Sequence, residues 1–309
     1  TDNCNLRCFY CMPEEDYEFT PHSRLMQPDE IESLAKIFVQ NGVNKIRLTG
    51  GEPLVRKDAA DIILRLSKLP VSLTLTTNAT RLHDFADVLQ KAKVSSLNIS
   101  LDTLDPDKFQ IITRRDGFQK VMDNIHLMIA RNLHVKVNVV VMKGINDHEI
   151  NDFVAWTKDL PVHVRFIEFM PFEGNRWSSN QVFTMEQMLE VIGRNYTPAP
   201  LQNDVHDTAK KYSIDGHKGT FAIISTMSSP FCSGCNRMRL TADGKMKNCL
   251  FSQKETDLLT ALRNGEDVLP LIQESIASKA KELGGQFTKD FEKIHTDDLH
   301  NRSMISIGG

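Results

Sequence analysis

Between residues 28 and 170 the sequence alternates between amphipathic helical segments and short apolar strand segments. Helices are predicted at 28–41, 58–68, 81–92, 118–131 and 147–158, and strands at 45–49, 71–78, 97–102, 134–142 and 162–170. Strands and helices in this order imply right-handed crossovers and a parallel sheet. With a further strand expected before Cys4, about six units are predicted, fewer than the eight of a closed barrel. The expected fold class is therefore α/β, a partial TIM-like (β/α)6 barrel.

The character of the sequence changes after residue 170. Segments 171–181 and 198–209 are polar and rich in turn residues. KKYSI and TFAIISTM are typical of antiparallel strands around an Asp-Gly turn, and helices are predicted at 255–264 and 268–283. We therefore predict a barrel core over 1–170 and a C-terminal segment over 171–309 that closes the barrel.

Composition excludes some classes of function. The 309 residues are 40% hydrophobic and 25% charged, which is ordinary for a globular protein. The net charge of -3 argues against broad attraction to nucleic acid or to a membrane surface. No apolar run approaches the roughly 20 residues that span a bilayer. No secretory signal is visible in a chain that begins at Thr1, so a cytoplasmic location is predicted.

The six cysteines fall into two groups of three, Cys4, Cys8, Cys11 and Cys232, Cys235, Cys249. A secreted disulfide framework is usually shorter and denser in cysteine than this chain. Two separated triplets are more typical of metal sites. The first group could be a zinc site or unrelated thiols, but structural zinc usually takes four ligands. Three thiolates suit a four-iron cluster whose fourth iron stays open to another ligand.

The second group permits the same alternatives. A half zinc ribbon accounts for Cys232 and Cys235, but Cys249 has no second cysteine beside it. A second three-cysteine cluster, whose open iron could bind a substrate, fits better. Arg237 and Arg239 follow this pair and could face a phosphate or a group on the cluster, or be ordinary surface arginines.

Strand ends supply further candidates. Gly50-Gly51-Glu52-Pro53 follows the first predicted strand, where a glycine pair allows backbone to approach a ligand and the glutamate could accept from an amine. Taken alone, this segment is only a glycine turn. Four cations lie on predicted strands, where a barrel interior would otherwise exclude charge: Lys45, Arg47, Lys136 and Arg165. Together they would need an anion, and a triphosphate would serve.

These motifs resemble those of known families. C-x3-C-x-aromatic-C, with Tyr10 as the aromatic, is similar to the signature of the radical S-adenosylmethionine superfamily. Over essentially its whole length the chain resembles the molybdenum cofactor biosynthesis protein A family, the GTP 3′,8-cyclases. The segments that carry this resemblance are CNLRCFYCMPEE, KIRLTGGEPLVRKD, LTTNA, NISLDTLD, VKVNVVVMKGIND, VRFIEFMPFEGNRW, FCSGCNRMRLTADGKMKNCLF and the terminal Gly308-Gly309.

The resemblance implies a lyase that acts early in molybdenum cofactor biosynthesis. It implies conversion of GTP to (8S)-3′,8-cyclo-7,8-dihydroguanosine 5′-triphosphate, after a 5′-deoxyadenosyl radical removes the C3′ hydrogen. S-adenosyl-L-methionine and two [4Fe-4S] clusters are the implied cofactors. The cluster on Cys4, Cys8 and Cys11 would be catalytic, and the second would bind the guanine.

The resemblance also implies roles for individual residues. Tyr10 would lie against the adenine, and Gly50, Gly51, Glu52 and Pro53 would contact the methionine amino group. Positions near the cofactor would be Thr76, Ser100 and Met170, although small residues at strand ends also occur through simple packing. The GTP-facing cations would be Lys45, Arg47, Lys136 and Arg165. Arg237 and Arg239 are assigned to catalysis and substrate binding, and Gly308 and Gly309 to a tail that enters the pocket.

Partners follow from the resemblance alone: a homodimer, an electron donor and the downstream cyclic pyranopterin monophosphate synthase. Family members carry a substrate-binding arginine before the first cysteine, but only three residues precede Cys4 here. Another two-cluster radical enzyme, such as a peptide-modifying maturase, is the alternative, although those usually carry more C-terminal cysteines. A zinc protein that binds RNA or a partner is a second alternative, disfavoured by the acidic balance.

Overall fold

A computed structural model describes residues 1–12, 17–287, 290–294 and 300–308, and eight strands form its main sheet. These strands are β1 (Lys45–Leu48), β2 (Ser72–Thr77), β3 (Ser96–Ser100), β4 (Val135–Val141), β5 (His163–Glu168), β6 (Ala199–Pro200), β7 (Lys210–Ser213) and β8 (Thr220–Ile224). Their order in the sheet is β1-β2-β3-β4-β5-β8-β7-β6. Strands β1 to β5 and β8 are parallel, and β6 and β7 add an antiparallel edge. The predicted six-unit α/β architecture is confirmed.

The origin of the sixth parallel strand corrects the prediction. No strand precedes Cys4 within the described residues 1–12. Instead β8, which forms the predicted antiparallel hairpin with β7, also pairs in parallel with β5. An uncovered β5 would expose a row of backbone donors and acceptors, and β8 satisfies them. The sheet therefore runs across the proposed division at residue 170, and that division stays a prediction.

Ten α-helices occur in the described ranges, and none is long and apolar enough to cross a membrane. They are α1 (Pro28–Gln40), α2 (Ala59–Leu66), α3 (Leu82–Lys91), α4 (Pro106–Thr113), α5 (Phe118–Ala130), α6 (Ile150–Trp156), α7 (Met185–Gly193), α8 (Leu258–Arg263), α9 (Leu269–Ala277) and α10 (Met304–Ile307). The helices predicted before each strand of the core correspond to α1, α2, α3, α5 and α6, with ends that differ by a few residues.

Two helices in the core, α4 and α7, were missed, although both carry local start signals. Asp105 precedes α4 and its side chain accepts from the N–H groups of Asp107 and Lys108, with a proline at the first helical position. Thr184 and Gln187 form a reciprocal capping box at the start of α7. These caps are therefore a better signal for the two helices than the apolar pattern.

Strands β1 to β5 each separate a largely apolar outer face from an inner face that carries polar side chains. In β4, four valines at alternate positions are buried, whereas Lys136 and Asn138 between them face the other side. The buried valines belong to the main core, which includes Phe153 of α6 and Phe166 of β5. Burial of apolar surface against the helices therefore fixes which side chains point into the barrel.

A small second sheet belongs to the C-terminal segment. It contains β9 (Arg239–Leu240), β10 (Lys245–Lys247) and β11 (Thr256–Asp257) in the order β11-β10-β9. Met246 and Leu258 from this region share a core with Leu34 of α1. This core places the second cysteine group beside the N-terminal half of the barrel.

Truncation of Phe153 tests the outer core. The side chain is fully buried, and its ring lies edge-on to that of Phe166 with 6.2 Å between centroids. We expect Phe153→Ala to lower the free energy of unfolding by about 3–5 kcal/mol, because it removes buried area and leaves a cavity. Urea unfolding measures this loss. Ile111→Ala, at a side chain that is 70% exposed, should change stability by no more than about 0.5 kcal/mol, and equal losses in both variants would contradict the assigned core.

Candidate active site

The inner face of the sheet carries a row of polar side chains that the strand register places side by side. Neighbouring strands align Arg47 with Thr74, Thr76 with Asn98, Asn98 with Lys136, Lys136 with His163, and Asn138 with Arg165. Alternate residues of a strand share a face, so His134 and Lys136 belong to the same interior. The four cations predicted from the sequence therefore converge on one cavity face.

The pKa values of these cations are lowered by burial and by one another's charges, so the cations lie close together. Burial lowers the pKa of Lys136 to about 8, assisted by the charges of Arg165, Lys45, Arg47 and Lys211. Burial also lowers the pKa of Arg165 to about 9, with Arg47 and Arg237 adding to the effect. Such a cluster raises the free energy of the folded protein until an anion lies among its members.

Arg165 is the most buried member of this cluster. Its side chain is only 8% exposed, and its Nε donates to Asn138 Oδ1 at 2.9 Å while one terminal nitrogen donates to Asn98 Oδ1 at 2.7 Å. Both asparagines are neutral, so they orient the guanidinium without cancelling its charge. Neither asparagine was predicted from the sequence, although the alternation of Asn98 and Asn138 with apolar strand residues was a usable signal.

His163 and Lys211 are further interior residues that were missed. Burial, together with the charges of Arg165, Lys136 and Lys211, lowers the pKa of His163 to about 3. The ring therefore stays neutral at ordinary pH, and its Nδ1 lies 2.7 Å from Thr220 Oγ1. Lys211 pairs with Asp207 at 2.6 Å. Lys211 lies in this interior because β7 pairs with β8 in the main sheet. No local sequence pattern predicts that pairing.

The first cysteine group lies on a loop docked against the end of α4. The N–H groups of Arg7 and Phe9 donate to the carbonyls of Thr113 and Ile112, at 2.9 and 3.1 Å. Burial raises the pKa of the Cys8 thiol well above its usual value, and the nearby groups Cys11, Asp102 and Cys4 add to this rise. The three thiols therefore lie within electrostatic range of one another.

This loop offers three free thiols as possible ligands. Among the described residues, no set of three or more His, Cys, Asp or Glu side chains is placed to hold one metal ion. A cubane cluster keeps its thiolates apart by its own width, so its ligands need not converge on a point. The N–H of Leu6 at 3.4 Å and Asn78 Nδ2 at 3.8 Å both approach Cys4 Sγ, a typical environment for a cluster thiolate.

Tyr10 is fixed by a buried carboxylate. Its hydroxyl donates to Asp102 Oδ2 at 2.6 Å, and the other oxygen of Asp102 accepts from the N–H of Val140 at 2.8 Å. Burial raises the pKa of Asp102 to about 6. The Tyr10 ring lines a small pocket, with room for about one water molecule, together with Val140, Glu168, Phe169, Met170, Phe172 and Met304. Two predicted cofactor residues, Tyr10 and Met170, are thus brought together.

The GGEP segment packs closely against the first residues of the chain. A Cβ on Gly51 would lie 2.5 Å from the carbonyl oxygens of Asp2 and Asn3, so the chain's own segment occupies the space that the glycine leaves. The carboxylate of Glu52 is fully buried and accepts from Leu54 N, Thr77 Oγ1 and Asn78 N at 3.0, 2.8 and 2.6 Å. Its main contacts are therefore internal, and one acceptor position remains for a ligand amine.

The remaining predicted cofactor residues lie along the same edge of the sheet. Pro53 begins a short 3-10 helix, Pro53–Val55. Thr76 is buried in β2 with Asn98 Nδ2 3.5 Å from its hydroxyl, and Ser100 ends β3. Contact between these side chains and a ligand stays a prediction.

The second cysteine group has positively charged side chains close to it. Arg237 lies over the Phe231 ring at 5.2 Å and Lys279 Nζ lies 3.6 Å from Cys235 Sγ. Burial alone would raise the pKa of Cys235, yet its value is lowered by an N–H from Arg237 and by the charges of Arg237 and Lys279. Because Arg237 also lowers the pKa of Lys45, Arg47 and Arg165, this group lies near the cationic cluster of the barrel.

The C-terminal tail completes the site. The guanidinium of Arg239 donates to the carbonyl of Gly308, and a Cβ on Gly308 would lie 2.7 Å from Thr49 Cγ2 beside the GGEP turn. Gly308 adopts φ +82°, which a side chain would strain. Upstream, Arg302 binds Asp243 and Glu255 in two bidentate pairs at 2.6–2.9 Å. Gly308 is thus buried near the first strand end, and Gly309 lies outside the described residues.

Family comparisons agree with this geometry. The Radical SAM superfamily matches residues 1–157, and the family described as Molybdenum Cofactor Synthesis C matches residues 162–284. Among solved structures, Streptococcus suis SuiB bound to S-adenosylmethionine aligns with a TM-score of 0.61 at 16% identity, covering 90% of this chain and 66% of that one. Native anSMEcpe with bound AdoMet aligns with a TM-score of 0.60 at 15% identity, covering 97% and 86%. The fold and the first cysteine loop define a radical SAM protein.

Closer relatives narrow the class. GTP 3′,8-cyclase, mitochondrial, of Arabidopsis thaliana is 45% identical over all of this chain and 79% of its own length. GTP 3′,8-cyclase of Listeria welshimeri is 39% identical over 100% of this chain and 94% of its own. The chain belongs to the GTP 3′,8-cyclase family. It spans about half the length of the mammalian relatives that it matches, such as molybdenum cofactor biosynthesis protein 1 of Bos taurus, which is 45% identical over 99% of this chain and 48% of its own length.

Removal of one interior charge tests the crowding of cations. We expect Lys136→Met to raise the free energy of unfolding of the protein without ligand at pH 7, by about 0.5–2 kcal/mol, because a repelled charge disappears. The folded pKa of Lys136 is about 8 and its ordinary value is 10.5. Below pH 8 both states carry the proton and the folded state bears the full repulsion. Between pH 8 and 10.5 the folded lysine loses its proton, so the advantage of the variant should shrink.

Urea unfolding at pH 7 and at pH 9.5, in low salt, measures this difference. Lys120→Met is the matched control, because Lys120 is exposed on α5. A destabilised Lys136→Met at pH 7, or an advantage that grows with pH, would contradict the crowded cluster.

Proposed function

We propose that this chain is a radical SAM GTP 3′,8-cyclase. It converts GTP to (8S)-3′,8-cyclo-7,8-dihydroguanosine 5′-triphosphate, an early step of molybdenum cofactor biosynthesis. The observation that carries this proposal is the cationic interior formed by Lys45, Arg47, Lys136 and Arg165, in a chain that also carries two groups of three free thiols. A triphosphate would relieve the repulsion among these cations, and a neutral or cationic substrate would not.

The nucleotide would be held by charge and by fixed geometry together. Arg165 is oriented by Asn98 and Asn138, so it can bind a phosphate with little loss of side-chain entropy. Lys136 and Lys45 add positive charge. A bound anion would raise their lowered pKa values and so keep both lysines protonated. Arg237 and Arg239 would meet the nucleotide from the side of the second cysteine group. Gly308, on the tail beside Arg239, would line the same space.

The cofactor would lie at the first cysteine group. Cys4, Cys8 and Cys11 would hold a [4Fe-4S] cluster, and S-adenosyl-L-methionine would occupy the carboxyl ends of the strands near Tyr10, Thr76, Ser100 and Met170. When bound, this pair supplies the carbon radical that removes a hydrogen atom from the substrate. Tyr10 is held in place by Asp102, so it could support the adenine without moving. The acceptor position left on Glu52 could take a hydrogen bond from the cofactor amine.

The second cysteine group would hold a second [4Fe-4S] cluster. Cys232, Cys235 and Cys249 supply three thiolates, which leaves one iron to bind the guanine. The nearby cations and the tail would then hold the rest of the nucleotide at a fixed distance from the cofactor.

Further proposals rest on membership of the family. They are a cytoplasmic homodimer, an electron donor for the first cluster, and transfer of the product to cyclic pyranopterin monophosphate synthase. The two-domain division at residue 170 belongs with them.

Anaerobic turnover tests the central proposal. The reconstituted protein is incubated with dithionite, S-adenosylmethionine and GTP, and both nucleoside products are quantified. We expect 5′-deoxyadenosine to form only when GTP is present, together with a cyclised nucleotide. Formation of 5′-deoxyadenosine at the same rate without any nucleotide would remove the support for GTP as substrate.

The two cysteine groups should separate by mutation. Cys249→Ser should keep about four irons of about eight per chain, because only the second cluster is lost, and turnover of GTP should disappear. Cys8→Ser is the matched control and should lose the other four irons and all 5′-deoxyadenosine. Iron and sulfide analysis with the turnover assay measures both. Unchanged turnover in Cys249→Ser, or zinc without sulfide in the wild type, would contradict the two-cluster site.

A further inference from the structure

A segment outside both cysteine motifs contacts the second cysteine group. After α9 the chain runs through Lys279 to Gly285 and crosses this group. Lys279 Nζ donates to the carbonyls of Cys235 and Arg237 at 2.9 and 3.0 Å, and it lies 3.6 Å from Cys235 Sγ. An ammonium has three donors, and these three contacts engage all of them.

The same segment also contacts Cys232 and the loop that follows Cys249. The N–H of Leu283 lies 3.4 Å from Cys232 Sγ. A Cβ on Gly284 would lie 2.5 Å from the carbonyl carbon of Phe251, two residues after Cys249. The segment is therefore packed against Cys232, Cys235 and the loop after Cys249, and hydrogen bonds to two carbonyls fix the position of Lys279.

The two cysteine groups differ in the charges around them. Buried carboxylates, Asp102 and Glu52, act on the thiols of the first group, together with the cation Arg7. In the second group Arg237 and Lys279 act on Cys235, and one carboxylate, Glu282, acts on Cys232. Positive charge and hydrogen bonds at a cluster sulfur stabilise the reduced cluster, whereas nearby negative charge stabilises the oxidised one.

We propose that Lys279 is a positioning residue that sets the electronic character of the second cluster through Cys235. Its ammonium withdraws negative charge from the thiolate, which raises the reduction potential of this cluster relative to the first. The same withdrawal makes the open iron a stronger acceptor for a nitrogen or oxygen atom of the substrate. This inference rests on the proposed function, since it requires a cluster on Cys232, Cys235 and Cys249.

Redox titration monitored by electron paramagnetic resonance tests this role. The full chain with Cys4, Cys8 and Cys11 changed to serine isolates the second cluster, and the intact two-cluster protein is examined alongside it. In this background Lys279→Met and Lys279→Gln should keep their iron and lower the midpoint potential. A tenfold change in the reduction equilibrium, about 59 mV for a one-electron couple, is the expected scale. Lys279→Arg, which keeps a charged donor, should stay near the unsubstituted value.

Lys281→Met is the matched control, because Lys281 is exposed on the same segment, and it should leave the potential unchanged. Glutamine retains donors for the two carbonyls, so its lowered potential would assign the effect to charge. Full iron content with an unchanged potential in both Lys279→Met and Lys279→Gln would overturn the role of Lys279 alone. Loss of iron in every Lys279 variant, arginine included, would make the residue structural and also overturn it. Absence of a second cluster from the wild type would overturn this inference and the proposed function together.

Discussion

Crowding of positive charge on the inner face of an open parallel sheet is the constraint on which the rest of the site depends. Lys136 and Arg165 lie on adjacent strands, with Arg47 and Lys45 facing them from β1. Their mutual repulsion is tolerated because apolar burial on the opposite face of each strand holds the sheet together. Binding of an anion would remove this repulsion, so the folded protein favours an anionic ligand at this site.

Buried carboxylates hold the loops around this charged interior. Glu52 ties the first strand end to the second through Thr77 and Asn78, and Asp102 ties Tyr10 to β4. Glu168, at the end of β5, accepts from the N–H groups of Met185, Met227 and Ser228. Each of these acids accepts several donors, so strand-end loops that would otherwise be mobile are fixed close to the cysteines. Asp102 and Glu168 were not predicted as site residues, because a single acid at the end of a strand has no distinctive sequence pattern.

The site also joins the two ends of the chain. Strand β8 completes the parallel sheet from the C-terminal side, and Arg239 holds Gly308 against the turn that follows β1. The Arg302 ion pairs with Asp243 and Glu255 fix the tail that carries this glycine. The second cysteine group is more than 200 residues from the first along the chain. It nevertheless lies near the cations that the barrel strands carry.

The sequence by itself determined five strands and five helices of the core, the two thiol triplets and the identity of the interior cations. It could do so because alternating burial, helix periodicity and cysteine spacing are local properties. Only the tertiary structure decided that β8 is the sixth parallel strand, that Glu52 is mostly occupied by internal donors, and that Asn98 and Asn138 orient Arg165. Those results depend on contacts between residues far apart in the chain. A strand edge or a side-chain donor could pair with many different partners, and no local sequence pattern shows which partner it takes.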